Sequence, residues 1–251
     1  MSLNVFILGR PGSGKSSIAQ QIYLTLQRNG WSVEHLYDYK LLQERFLQEI
    51  NDNIPLQRRQ FEPRGPEAMQ GFDVLDPSVL DTVLQDLAAF ATRLSNSHSS
   101  YENSLLLIEF ARKDYWRSLS LFGHALLQNA HIVYIESSFE DCMERIDQRI
   151  DSRSEYGHYV SNEIMRQYYL TDDWLDGRCQ QHLKSLEKSG VHTYQHHIDN
   201  RGSQDDLVQE VGKFIKMHLL RETEANSIVH ETEPIPTVSR VIPQTQAESS
   251  K

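Results

Sequence analysis

Cysteine is nearly absent: Cys142 and Cys179 are the only two in 251 residues. They are not spaced C-x-x-C, so neither a disulfide framework nor a paired-cysteine zinc site can be built from them, and a reducing compartment is implied. Long apolar runs are lacking as well. A run such as Leu105 to Ile108 falls far short of the roughly 20 residues that span a bilayer, and no signal-peptide pattern is visible, so a soluble cytoplasmic protein without membrane association is expected. Positive charge is in deficit, with 25 Lys and Arg against 35 Asp and Glu for a net charge of −10. Such a field repels phosphate backbones and disfavours nucleic acid as a partner. Proline is sparse, and Pro234, Pro236 and Pro243 all fall in a final stretch without apolar periodicity. That stretch, 222–251, is expected to be a disordered tail.

What is present is an ordinary globular composition, 39% hydrophobic and 24% charged, arranged as alternating strand and helix patterns. Leu3 to Leu8, Leu105 to Ile108 and His131 to Ile135 read as buried parallel strands. Ser32 to Tyr37 reads as a second strand, and Val191 to Ile198 as a fifth, polar and partly exposed. Ile18, Ile22 and Leu26 share one helix face. Leu80, Val83, Leu84, Leu87, Ala91 and Leu94 form a core-facing stripe on a helix opened by Asp76-Pro77. Ser138 to Asp141 and Ser203 to Asp206 have capping-box spacing ahead of apolar helix faces. The pattern predicts an α/β fold, a doubly wound parallel sheet of about five strands, over residues 1–221. Two stretches interrupt it. An insertion at about 40–75 carries a helix pattern from Leu41 to Ile50 and then Arg58, Arg59 and Arg64. A polar, aromatic-rich segment at about 151–181 is a lid candidate.

Gly9-Arg10-Pro11-Gly12-Ser13-Gly14-Lys15-Ser16, followed by Ser17, satisfies G-x-x-x-x-G-K-[ST] between an apolar strand and an amphipathic helix, the context this phosphate-binding motif requires. Glycines let successive amides turn inward, and the helix N-terminus adds its positive end, so the backbone can cradle a triphosphate. Lys15 would reach the terminal phosphates and the Ser16 hydroxyl would bind Mg²⁺.

With this loop, the chain resembles the P-loop kinases of the nucleoside-monophosphate, polynucleotide and small-molecule group across about residues 3 to 218. Further resemblance lies in Glu136 to Arg145 with Arg149, similar to the fourth strand and arginine-bearing helix of those kinases. Ile198-Asp199-Asn200-Arg201-Gly202-Ser203 is similar to the turn bordering the adenine. Asp38 stands where relatives place a base, and His158-Tyr159-Val160 leading into Glu163-Ile164-Met165 looks like a lid helix. The chain departs from adenylate kinases in having Tyr37-Asp38-Tyr39-Lys40 after the second strand, and Glu109-Phe110-Ala111-Arg112 after the third. The resemblance implies a P-loop NTPase fold with an acceptor-side insertion and a lid. It also implies an ATP-dependent, Mg²⁺-requiring transfer of the γ-phosphoryl group to a hydroxyl or phosphate of a small molecule or nucleotide. Alternatives are an enzyme acting on nucleic-acid ends and a nucleotide-binding regulatory module with little transfer.

In this reading Lys15, Arg145 and Arg149 supply cations to the transferring group, and Asn200 borders the nucleotide. Arg145 and Arg149 are four apart and share a helix face, with Arg153 continuing the row; a pair of Arg145 with Asp141 and a solvated surface charge at Arg149 are the alternative. Glu109 ends an otherwise apolar strand, a position that suits a carboxylate facing Mg²⁺; a salt bridge to Arg112 or Lys113 is the alternative. Asp38 ends its own strand at the edge where such sheets open their crevice, as acceptor-orienting base or as a helix cap. Arg58, Arg59 and Arg64 either bind an acceptor or are solvated. Tyr156, Tyr159, Tyr168, Tyr169 and Trp174 either stack on a ligand or pack the lid.

Overall fold

A computed structural model describes residues 2–64, 71–97, 103–151 and 160–220, with the backbone alone at 97 and 149–151. Five strands form one parallel sheet: β1 (Ser2–Leu8), β2 (Ser32–Tyr37), β5 (Ser104–Phe110), β6 (Ala130–Glu136) and β7 (Thr193–Asp199), in the order β2-β5-β1-β6-β7. All four neighbouring pairs are parallel. Every residue of β5 is buried, because it lies between two strands and under helices on both faces. This is why it reads as one apolar run rather than an alternation.

The period-2 geometry sorts the strand residues into two cores. Phe6, Leu8, Leu106, Ile108 and Phe110 point to one face, against α3 (Ser78–Ser97), α4 (Tyr115–Ser120), α5 (Gly123–Leu127) and α8 (Arg178–Glu187). Val5, Ile7, Leu105, Leu107 and Val133 point to the other, against Ile18, Ile22 and Leu26 of α1 (Lys15–Arg28) and Val211 and Phe214 of α9 (Gln204–Phe214). Ser203 caps α9 with the reciprocal Ser203–Asp206 bonds that its spacing predicts. The stripe from Leu80 to Leu94 is core, as expected. The outer strand β7 is half exposed.

The insertion is more regular than its sequence suggests. Its helix α2 (Asp38–Asn51) begins at Asp38, three residues before the apolar period, and a two-stranded antiparallel hairpin follows, β3 (Phe61–Arg64) and β4 (Gly71–Val74). Phe46, Phe61 and Phe72 give this part its own small core with Leu42, Val79 and Leu80. These strands have only four residues each, too short for a period-2 signal to emerge, and one contains a proline. Within the lid candidate, α6 (Phe139–Asp151) leads in and α7 (Asn162–Tyr168) supplies the expected helix; Cys142 and Ile146 pack on Met165 and Tyr169. Arg153, Tyr156, His158, Tyr159 and the tail at 222–251 lie outside the described residues. Among the described residues no helix is long and apolar enough to cross a membrane.

Candidate active site

The loop from Gly9 to Gly14 joins the C-terminal end of the central strand β1 to the first turn of α1. Two of its glycines are required by what surrounds them. Gly12 has φ +80°, and a Cβ there would stand 2.3 Å from the Cys142 carbonyl oxygen. Gly14 has φ +96°, and a Cβ there would meet the Asn200 amide at 2.4 Å. Only glycine meets both the left-handed backbone and the close approach. Across the loop Lys15 Nζ donates to the Arg10 carbonyl at 2.8 Å, and the Gly9 N–H donates to the buried Tyr115 hydroxyl at 3.0 Å. Ser17, the third residue of the helix, is exposed.

The two flanks of the loop differ in chemistry. On the β6–β7 flank, Asn200 Nδ2 donates to the Ser13 carbonyl at 2.7 Å. Arg145 donates to Ser137 Oγ at 2.9 Å, to the Asn200 carbonyl at 3.1 Å and to the Gly12 carbonyl at 3.4 Å. The structure thus puts the Arg145 guanidinium on loop backbone, not in the cavity, and its geometry is that of a brace. Arg10 is equally committed, donating to the Leu170 carbonyl at 3.1 Å beside Asp172. Arg149 lies on α6, its side chain outside the described residues.

On the β2–β5 flank is a cavity of about 370 Å³ lined by Pro11, Gly12, Gly14, Lys15 and Ser16 of the loop region, together with Asp38, Glu109 and Arg112. Ser16 Oγ donates to Glu109 Oε1 at 2.7 Å, and Glu109 Oε2 lies 3.2 Å from His35 Nε2. The strand register sets this up, pairing Glu109 with Ile7 on one side and Tyr37 on the other. Burial alone would raise the Glu109 carboxyl. The His35 hydrogen bond, the Lys15 charge and the Ser16 hydroxyl outweigh it and hold the group below its ordinary value. Two hard oxygen donors side by side, one of them a persistent carboxylate, suit Mg²⁺.

Asp38 is the first residue of α2 and 8% exposed. Its carboxylate pairs with Arg112, which is 3% exposed and also donates to the Leu80 carbonyl at 2.9 Å and the Ala111 carbonyl at 2.6 Å. Arg112 therefore belongs to Asp38 and not to Glu109, whose partners are Ser16 and His35. Burial pushes the Asp38 carboxyl up, and the Arg112 charge opposes this without cancelling it.

Arg58, Arg59 and Arg64 do not line the cavity. Arg59 donates to the Ile54 carbonyl, and Arg64 pairs with Asp73 at 2.8 Å and Glu62 at 2.6 Å, so these two hold the insertion together. The cavity walls come instead from residues that motif reading passed over, among them Tyr37, Tyr39, Phe72 and Asp73, with Tyr168 and Tyr169 from the lid side. Asp73 accepts from the Ser161 N–H at 3.0 Å and so ties the hairpin to the start of α7. His35 was legible in principle, since it shares a β2 face with Val33 and Tyr37. Asp73 and Phe72 had no local signal.

No protein-family model matches the chain, and no curated protein matches it. Solved structures similar to it include an APS kinase from Mycobacterium tuberculosis in complex with AMPPNP and APS, at 15% identity over 86% of this chain and 98% of that one, TM-score 0.45. A gluconokinase from Sinorhizobium meliloti is similar at 15% identity over 92% and 98%, TM-score 0.45. A sugar kinase from Janibacter sp. is similar at 14% identity over 87% and 96%, TM-score 0.45. At identities this low the likeness concerns the fold alone.

Proposed function

We propose that this protein is an ATP- and Mg²⁺-dependent phosphotransferase acting on a hydroxyl of a small molecule. The observation that carries the reading is that one cavity is lined by Lys15 and Ser16 of the glycine-rich loop region together with Glu109, Asp38 and Arg112. The loop amides from Gly9 to Ser16 and the Lys15 ammonium bind the donor phosphates, while Asn200, braced by Arg145, borders the nucleotide on the opposite flank. Ser16 and Glu109 would hold Mg²⁺, which neutralises charge building on the phosphate oxygens. Asp38, kept basic by burial, accepts the proton of the acceptor hydroxyl, and Arg112 fixes the direction of that carboxylate. On the lid side the site is covered by α7, whose Ile164 and Tyr168 line the cavity.

The test is ADP formation by the full chain with ATP and Mg²⁺, in the presence and absence of a deproteinised metabolite extract, alongside Lys15→Met. Stimulation by the extract in the wild type and its loss in the variant are expected. Turnover indifferent to the extract, or retained by Lys15→Met, would leave a nucleotide-binding module in place of a transferase.

A further inference from the structure

The acceptor end of the cavity carries three features that together define what it takes. The first is charge. The charged residues among those described as lining it are Lys15, Asp38, Asp73, Glu109 and Arg112. Lys15 stands at the phosphate loop, Asp38 and Arg112 neutralise each other, and Asp73 receives Arg64. Among the described lining residues no cation is left to balance an anionic acceptor, and desolvating an anion beside these carboxylates is unfavourable. The second is shape. Tyr39 and Phe72 stack with ring centroids 5.3 Å apart and planes 8° apart, and Tyr168 meets Tyr169 edge to face at 4.7 Å and 76°. Walls of this kind accept a flat ring and offer few partners to a polyhydroxylated chain. The third is an orphan donor. Arg112 spends both terminal nitrogens on Asp38 and backbone carbonyls, but its buried Nε–H has no hydrogen-bond partner. A buried donor of this kind calls for a ligand oxygen.

We infer that the acceptor is an uncharged nucleoside rather than a nucleotide or a sugar acid. The inference rests on the phosphotransferase reading and narrows it. The base lies against Tyr39 and Tyr168, one ribose hydroxyl bonds to Asp38, and a neighbouring ribose oxygen accepts from Arg112 Nε. In the transfer, that hydroxyl oxygen forms a bond to the γ-phosphorus as the bond from the γ-phosphorus to the bridging oxygen breaks. The bridging oxygen leaves with its electron pair on ADP, and the hydroxyl proton passes to Asp38.

The experiment measures ADP formation by the full chain with ATP and Mg²⁺ and, separately, uridine, cytidine, adenosine, guanosine, thymidine, their 5′-monophosphates, gluconate and ribose. Calorimetry of ATP binding runs in parallel. At least one nucleoside should stimulate turnover while its monophosphate and gluconate do not. For that nucleoside, Tyr39→Leu should raise KM about tenfold, as expected for a lost stacking partner, with kcat and the KM for ATP little changed. Tyr168→Leu serves as the second variant and should act in the same direction. Stimulation by gluconate, ribose or a monophosphate and by no nucleoside overturns this inference and leaves the phosphotransferase reading standing. So does ATP binding without stimulation by any nucleoside, or a nucleoside KM that neither variant moves. Absence of ATP binding removes both readings together.

Discussion

Asp38 and Glu109 stand at the same edge of the sheet, and their surroundings drive them in opposite directions. Glu109 has His35, Lys15 and Ser16 about it and is held below its ordinary value, whereas burial leaves Asp38 raised despite Arg112. A carboxylate that resists protonation suits a cation, and one of raised basicity suits a proton acceptor. Asp38→Asn should therefore keep ATP affinity and lower transfer by roughly 10² to 10⁴, the contribution expected of a general base. The acid limb of kcat should lie above the ordinary carboxylate value in the wild type, because Asp38 must be unprotonated to act, and should vanish in the variant. Glu109→Gln should instead raise the Mg²⁺ concentration needed for half-maximal rate and lower transfer with it. Intact transfer in Asp38→Asn, with loss of transfer at normal Mg²⁺ response in Glu109→Gln, would exchange the two roles.

The loop and the lid-side helix make their own predictions as elements. The loop is wedged between α6 and the turn after β7, since the Cys142 carbonyl abuts Gly12 and the Asn200 amide abuts Gly14. Gly12→Ala combines an unfavourable positive φ with a 2.3 Å contact to backbone that cannot swing aside. It should abolish ATP binding by calorimetry and lower stability by about 1–3 kcal/mol in denaturant titration. The helix α7 is tied down at its start by the Asp73 bond to Ser161 and faces the cavity through Ile164 and Tyr168. Hydrogen exchange across 160–181 should slow when an ATP analogue and Mg²⁺ are added. Unchanged protection at verified saturation would remove the lid assignment.

At the scale of the whole molecule, acid sensitivity should arise outside the cavity, where β6 and β7 meet α9 and the turn after it. His131 Nδ1 lies 2.9 Å from His196 Nε2, and both rings pack near Phe214 and His218. Burial, with the neighbouring histidines adding to it, pushes His131 from 6.5 down to about 4 and His196 down to about 3. Unfolded, these imidazoles take up protons near their ordinary value; folded, they do so only at the lowered values. Between the two, unfolding absorbs protons and acid favours it. The melting temperature should fall as pH drops below about 6.5 towards 4, and His196→Gln should flatten that dependence. A melting temperature level over this range would show that the cluster admits protons while folded.

What the sequence by itself determined is what neighbouring residues decide. Apolar runs specified three of the five parallel strands and weaker patterns the other two, the 3.6-residue stripe specified α3, and the glycine spacing between strand and helix specified the glycine-rich loop, all from chain-local geometry. Glu109 was legible for a related reason, since an acidic residue near the end of an apolar run has few other places to face. Which partner each carboxylate took was settled only by tertiary structure, because the partners are remote in the chain. Ser16 and Glu109 are 93 residues apart, Asp38 and Arg112 are 74 apart, and Asp73 and Ser161 are 88 apart. The strand order places β5 beside β1 and so carries Glu109 to the loop. The same packing turned Arg145 onto backbone carbonyls and spent Arg64 on Asp73. It also brought Phe72 to the cavity from a hairpin too short to leave a periodic trace. Distances between side chains far apart in sequence follow from how layers pack, and no local pattern encodes them.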